Sequence, residues 1–185
     1  MTLTIENGWL SGVRRSVSPN YDDRPVGSEI DLLVIHGISL PPGEFGSGWI
    51  DALFGNCLDC TAHPYFREIE NLEVSAHLLI RRDGEVVQYV PFDRRAWHAG
   101  QSCFEGRERC NDFSIGIELE GSDDQPYEEV QYRVLAEVCE ALLRAYPTLS
   151  SQRIVGHCDI APGRKTDPGP YFEWQRLRTL LAGNS

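Results

Sequence analysis

The sequence predicts an α/β fold: one domain with a central mixed sheet flanked by helices. Three observations predict it. Apolar strand-like runs recur through the first two thirds of the chain, helical periodicity dominates the last third, and Gly- and Pro-rich turns separate the segments without any internal repeat or linker. At 185 residues, with 41% hydrophobic content, the chain is long enough to bury one core, and residues 1–185 read as a single domain.

The first clear element is "EIDLLVIHGIS", whose apolar block Leu32 to Ile35 reads as a buried strand delivering His36 at its end. "SLPPGEFGSG" forces a loop, a segment that could also move over a cleft. A short helix follows at "WIDALFG", and a brief turn at "HPYFREI". "VSAHLLIRR" and "EVVQYV" form a hairpin, because Asp83-Gly84 suits the positive φ angles of a tight turn.

"FSIGIELEG" alternates Phe113, Ile115, Ile117 and Leu119 with Ser114, Gly116, Glu118 and Glu120, the pattern of a strand buried on one side. Glu118 is thereby placed opposite the core, facing either solvent or a cleft. "PYEEVQYRVLAEVCEALLRAYP" opens with Pro and acids and sets Val130, Val134, Val138 and Leu142 at helical spacing. "RIVGH" is a short strand ending at His157, "GHCDIAPGRKTDPGP" is too polar and too rich in Gly and Pro for a regular element, and "YFEWQRLRTLLA" is an amphipathic helix.

Composition excludes more than it proposes. With 17 basic against 28 acidic residues, a net charge of −11 repels a phosphate backbone and an anionic bilayer, so neither nucleic acid nor membrane is expected as a partner. No stretch approaches the roughly 20 apolar residues of a membrane span, and the N-terminus has no export signal, which points to the cytoplasm. The six cysteines are expected reduced. No spare apolar helix face stands out, so a monomer is expected.

His36 and His157 fall where apolar strands give way to Gly-containing loops, the place where open α/β sheets bind ligands. Two histidines and an aspartate suffice for a catalytic zinc site, and Asp167 completes such a set across a loop that Gly163 and three prolines can fold back. The spacing is not the familiar helical pair, so the chemistry alone leaves metal-ligating and structural roles open. Lys165 is the sole lysine among 16 arginines. A compact ammonium can approach a developing oxyanion where a guanidinium fork does not fit, though drift would leave the same residue.

The blocks "VIHGISLPPGEFG", "AHPYF", "VSAHLLIRRDGEVVQYVPFDRRAWHAG", "GRERCNDFSIGIELEG" and "GHCDIAPGRKTDPGP" together resemble the cytoplasmic AmpD-type N-acetylmuramoyl-L-alanine amidases that recycle the bacterial wall. The match runs from about Gly8 to the last helix. The resemblance implies a peptidoglycan-recognition-protein-like amidase fold. It also implies a zinc enzyme cleaving the lactyl–L-alanine amide of 1,6-anhydro-muropeptides.

Carried over by position, His36, His157 and Asp167 hold Zn2+, while Glu118 and Lys165 are catalytic. Trp97 borders the sugar site, Arg109 is nominated for a peptide carboxylate, and His77 either lines the cleft or fills the sheet. Gly37 stands where the family usually has Asn, and Glu73 where it often has Arg, so an amide and a positive charge are expected to be missing from the cleft.

Two rival classes remain. A metal-free wall-binding module would lack part of the metal set, which this chain keeps. A cysteine-based activity would use Cys57 and Cys60, or Cys158 beside His157, but neighbours on an extended segment point to opposite faces. Cys158 and Asp159 are therefore assigned structural roles.

Overall fold

A computed structural model describes residues 3–183. Its centre is a six-stranded mixed sheet. We number its strands β1 (Arg14–Arg15), β2 (Leu32–Ile38), β3 (Leu78–Ile80), β4 (Val86–Gln88), β5 (Ser114–Glu120) and β6 (Ile154–Gly156). In space they run β6-β2-β5-β3-β4-β1. The pairs β6–β2, β2–β5, β5–β3 and β4–β1 are parallel, and only the β3–β4 hairpin is antiparallel.

Among the described residues four α-helices accompany the sheet: α1 (Trp49–Phe54), α2 (Glu129–Ala145), α3 (His157–Ile160) and α4 (Trp174–Gly183). One face packs against α2 and α4: Leu33, Ile35, Ile115, Ile117, Leu78 and Ile80 join Tyr132, Leu135, Val138, Leu142 and Leu177 in one buried cluster. The alternate residues of the same strands point the other way. There Leu79 and Val87 meet Ile50, Leu53 and Phe54 of α1, while Leu32 and Val34 meet Ala99, Phe113 and Ile160. His36 and Glu118, two and four residues beyond Val34 and Ser114, share this second face by strand alternation.

Several expectations are corrected. β5 is buried along its whole length, because parallel strands on both sides and cover on both faces leave no solvent side. Val130 and Val134 are only partly buried, and the buried stripe of α2 runs instead through Gln131, Tyr132, Leu135, Ala136, Val138, Cys139 and Leu142. The start of α2 is fixed by Gln131, whose Oε1 accepts from the Glu128 N–H at 2.9 Å.

In the hairpin only Gly84 has a positive φ, at 89°. Hydrogen bonds from Gly84 N–H to Arg81 C=O and from Arg81 N–H to Glu85 C=O, both 2.9 Å, close a three-residue loop rather than a two-residue one. The loop after β6 opens with a regular turn, α3. The "PPGEFGSG" loop is tied down at its second half: Gly46 N–H donates to the buried Glu120 carboxylate at 2.7 Å, and Arg81 donates to Ser47 C=O. All six cysteines are free thiols.

Candidate metal centre and cleft

β2 and β6 are neighbours, so His36 near the end of one and His157 just past the end of the other meet at the same edge of the sheet. The chain leaves α3, turns at Gly163 (φ 77°), and returns so that Asp167 C=O accepts from Cys158 N–H at 3.0 Å. Asp159 holds the start of the turn, accepting from Gly156 N–H at 2.7 Å, and Tyr127 Oη donates to Pro168 C=O at 2.7 Å on the far side. These contacts deliver the Asp167 carboxylate to the two imidazoles. His36 Nδ1 and His157 Nδ1 are 2.9 Å apart, and each lies 3.1 Å from Asp167 Oδ2.

Burial pushes His36 down to about 4 against the opposing contact with Asp167, so its ring is neutral at neutral pH, the form that ligates metals. Burial opposes ionisation of Asp167, but its contacts with His157 and His36 outweigh burial and hold the carboxyl well below the usual carboxylate range. His157 Nε2 donates to Ala99 C=O at 3.2 Å, so in the neutral ring its Nδ1 presents a lone pair. A lone pair therefore faces an acceptor-only carboxylate oxygen, an arrangement that a bound cation satisfies. The His36, His157 and Asp167 group is a possible metal site with two nitrogens and one oxygen, the donor set of catalytic zinc.

The trio forms one wall of an open cleft of about 850 Å³, and Glu118, Lys165 and Trp97 line the same cleft. Glu118 pairs in register with His36 on the adjacent strand. Burial raises its carboxyl well above the usual range, Asp167 adds to the effect and Lys165 opposes it. Its Oε2 is buried without a hydrogen-bond partner. Lys165 is exposed at the cleft rim. Tyr65, Ile69 and Leu72 supply an apolar stretch of wall.

Not every expected residue joins this group. His77 is fully buried: Nδ1 accepts from Gly116 N–H at 3.0 Å and Nε2 donates to Arg94 C=O at 3.0 Å, which uses both ring nitrogens inside the sheet. Of the two readings of His77, the structure takes sheet filling. Arg109 projects into solvent with its side chain 69% exposed, reaches Asp112 at 3.4 Å, and lines a smaller groove beside Arg164 rather than the cleft. Cys57, Cys60 and Cys158 do not line the cleft either.

Gly37 and Glu73 do line it. A Cβ on Gly37 would lie 2.3 Å from Tyr127 Oη, so the space for a larger side chain is already filled. The sequence reading gave no role to His98, whose Nδ1 lies 2.9 Å from His36 Nε2, or to Arg164, which donates to Ala99 C=O at 2.7 Å. Both work through non-local contacts, and the only signal was their place in the quoted blocks.

The model of the N-acetylmuramoyl-L-alanine amidase family matches residues 26–170, spanning β2 to the loop that carries Asp167. The chain belongs to this family. Among its relatives, 1,6-anhydro-N-acetylmuramyl-L-alanine amidase AmpD of Escherichia coli (strain K12) is 62% identical over 180 residues, covering 97% of this chain and 98% of that protein. The crystal structure of a selenomethionine derivative of AmpD superposes with a TM-score of 0.93 at 61% identity, covering 96% and 98% of the two chains. The amidase AmiD from E. coli, solved with the substrate anhydro-N-acetylmuramic acid-L-Ala-D-gamma-Glu-L-Lys, superposes at 0.60 with 29% identity over 97% of this chain and 65% of that one.

Proposed function

We propose that this chain is a zinc-dependent amidase that hydrolyses the lactyl–L-alanine amide of 1,6-anhydro-N-acetylmuramyl peptides during peptidoglycan recycling. The observation that carries the reading is the convergence of His36, His157 and Asp167 in one cleft with Glu118 and Lys165. The likeness to AmpD supports the anhydro-sugar substrate. Residues 1–185 would act as one domain, a monomer in the cytoplasm. No helix among the described residues is long and apolar enough to cross a membrane.

His36 and His157 would hold zinc through Nδ1 and Asp167 through Oδ2. Zinc bound there supplies Lewis acidity to the scissile carbonyl and to water. Glu118, ionised, takes the proton that the attacking water loses as its oxygen bonds to the lactyl carbonyl carbon. When the C–N bond breaks, Glu118 returns that proton to the departing alanine nitrogen. Its buried setting keeps a carboxyl of raised pKa, which suits both halves of the transfer. The Lys165 ammonium donates toward the carbonyl oxygen as negative charge grows on it.

Trp97 offers an apolar ring face to the sugar. With Arg109 and His77 outside the cleft, the apolar wall and Glu73 are among the surfaces that would face the stem peptide. The reading is tested by metal analysis: zinc near one per chain, abolished in His157→Ala, is expected. A zinc-free protein that still binds muropeptide would make it a recognition module instead.

A further inference from the structure

Whether His36 can bind a metal through Nδ1 depends on which of its ring nitrogens carries the proton. A neutral imidazole can ligate through Nδ1 only if Nε2 is protonated, and second-shell hydrogen bonds settle that choice. Cys110 C=O can only accept, and Ser114 O–H donates to it at 2.6 Å. The hydroxyl has then spent its proton, so at its 3.1 Å contact with His98 Nε2 it accepts, which places the His98 proton on Nε2. His98 Nδ1 is consequently a lone pair. It lies 2.9 Å from His36 Nε2, which must be the donor. His36 Nδ1 is left bare and faces Asp167 and His157.

The backbone is shaped around this relay. A Cβ on Gly116 would lie 2.4 Å from His98 Cγ, so the missing side chain on β5 is the room the ring occupies. His98 is buried there, with its ring edge-on to His36 at a centroid distance of 5.0 Å and an interplanar angle of 88°. Nothing in this arrangement brings His98 into contact with Asp167 or His157, so it acts through His36.

We propose that His98, backed by Ser114, is a positioning residue that fixes the tautomer of His36 and so aims its Nδ1 lone pair into the metal centre. The proposal rests on the metal reading above, but the tautomer itself can be observed whether or not zinc binds. Long-range proton–nitrogen correlation spectra of full-length protein with 15N-labelled histidine, zinc-loaded and chelator-stripped, should show both His36 and His98 protonated at Nε2. A proton on Nδ1 of either ring would overturn the proposal, and failure to bind zinc would count against the functional reading alone.

Zinc competition with a chromophoric chelator adds a second readout. His98→Leu, which removes the acceptor, is expected to weaken zinc binding about 10–100-fold. His98→Asn is expected to stay within about threefold of the parent, because an amide oxygen branching from Cγ replaces Nδ1 as acceptor. Equal affinity in the Leu variant, or equal loss in both variants, would overturn the proposal. Should either variant fail to fold, the spectra of the unaltered protein decide.

Discussion

Replacing Glu118 with Gln should make the protein more stable while disabling it. Glu118 Oε2 is buried with no hydrogen-bond partner, and burial raises the carboxyl well above its usual range, so the folded chain pays to ionise it. A buried unsatisfied polar group costs about 1–3 kcal/mol. Gln leaves a neutral polar atom in that place, so it removes only the additional cost of holding a charge there, and a gain of about 1–2 kcal/mol is expected near neutral pH. At roughly 2–4 °C per kcal/mol for a chain of this size, Tm should rise by about 2–8 °C.

The folded-state pKa lies above the unfolded one, so the unfolded carboxyl loses its proton first as pH rises, and stability declines through that window. The advantage of Glu118→Gln over the parent should therefore be full above the folded pKa and shrink as the solution is acidified. It should also be larger in chelator, since a bound cation would favour the ionised parent. Loss of the proton-transfer group should lower kcat about 10²–10⁴-fold. Thermal unfolding of both proteins across pH, with and without chelator, gives the comparison. A variant no more stable than the parent, or an advantage that grows in acid, would refute the reasoning.

Lys165→Ala should lower kcat by about 10²–10³ with little change in KM, and Lys165→Arg should not restore it, because the fork cannot take the place of a compact ammonium; a rise in KM alone would remove Lys165 from the transition state. Gly37→Ala should cost about 1–3 kcal/mol, because its Cβ would lie 2.3 Å from Tyr127 Oη. In a Tyr127→Phe background the same change should cost measurably less, since the next nearest atom is Pro168 Cα at 3.5 Å. An equal cost in both backgrounds would place the strain elsewhere. In metal-free Glu118→Gln protein, which lacks the carboxyl that acts in the opposite direction, stability should fall as pH drops below about 6.5, because the unfolded chain protonates the buried His36, His77 and His98 before the folded one does. Asp167, depressed in the fold, acts in the same direction at lower pH. Unfolding of stripped Glu118→Gln protein that is flat below about 6.5 would contradict the burial of these histidines as neutral rings.

What the sequence disclosed and what it hid follow from the range of the interactions. Strand and helix positions came from local periodicity, and the histidines at strand ends were visible because an apolar block stops at each one. Asp167 and Lys165 shared a loop with His157, so their proximity was nearly local. Glu118 was placed on the correct face by alternation alone, although that face is covered by α1, α3 and loops except where the cleft opens.

The failures were non-local. His77 and His98 are both histidines beside apolar residues, and only the third dimension shows one spent on backbone groups and the other on His36. Arg109 sits at a positive φ of 60° and its exposed side chain lies outside the cleft, which no spacing rule foretells. The rotation of the α2 stripe reflects two residues, Tyr132 and Gln131, whose buried roles depend on partners at Glu173, just before α4, and at the ends of β3 and β5.

The central claim is that this cleft breaks one amide bond with zinc in place. Purified protein should be incubated with anhydro- and reducing-end muropeptides, with zinc or with chelator, and the products weighed by mass spectrometry. The account predicts release of a peptide beginning at L-alanine together with the intact anhydro-sugar acid, abolished by chelator and restored by zinc. An uncut substrate in the presence of zinc, or cleavage indifferent to chelation, would contradict it.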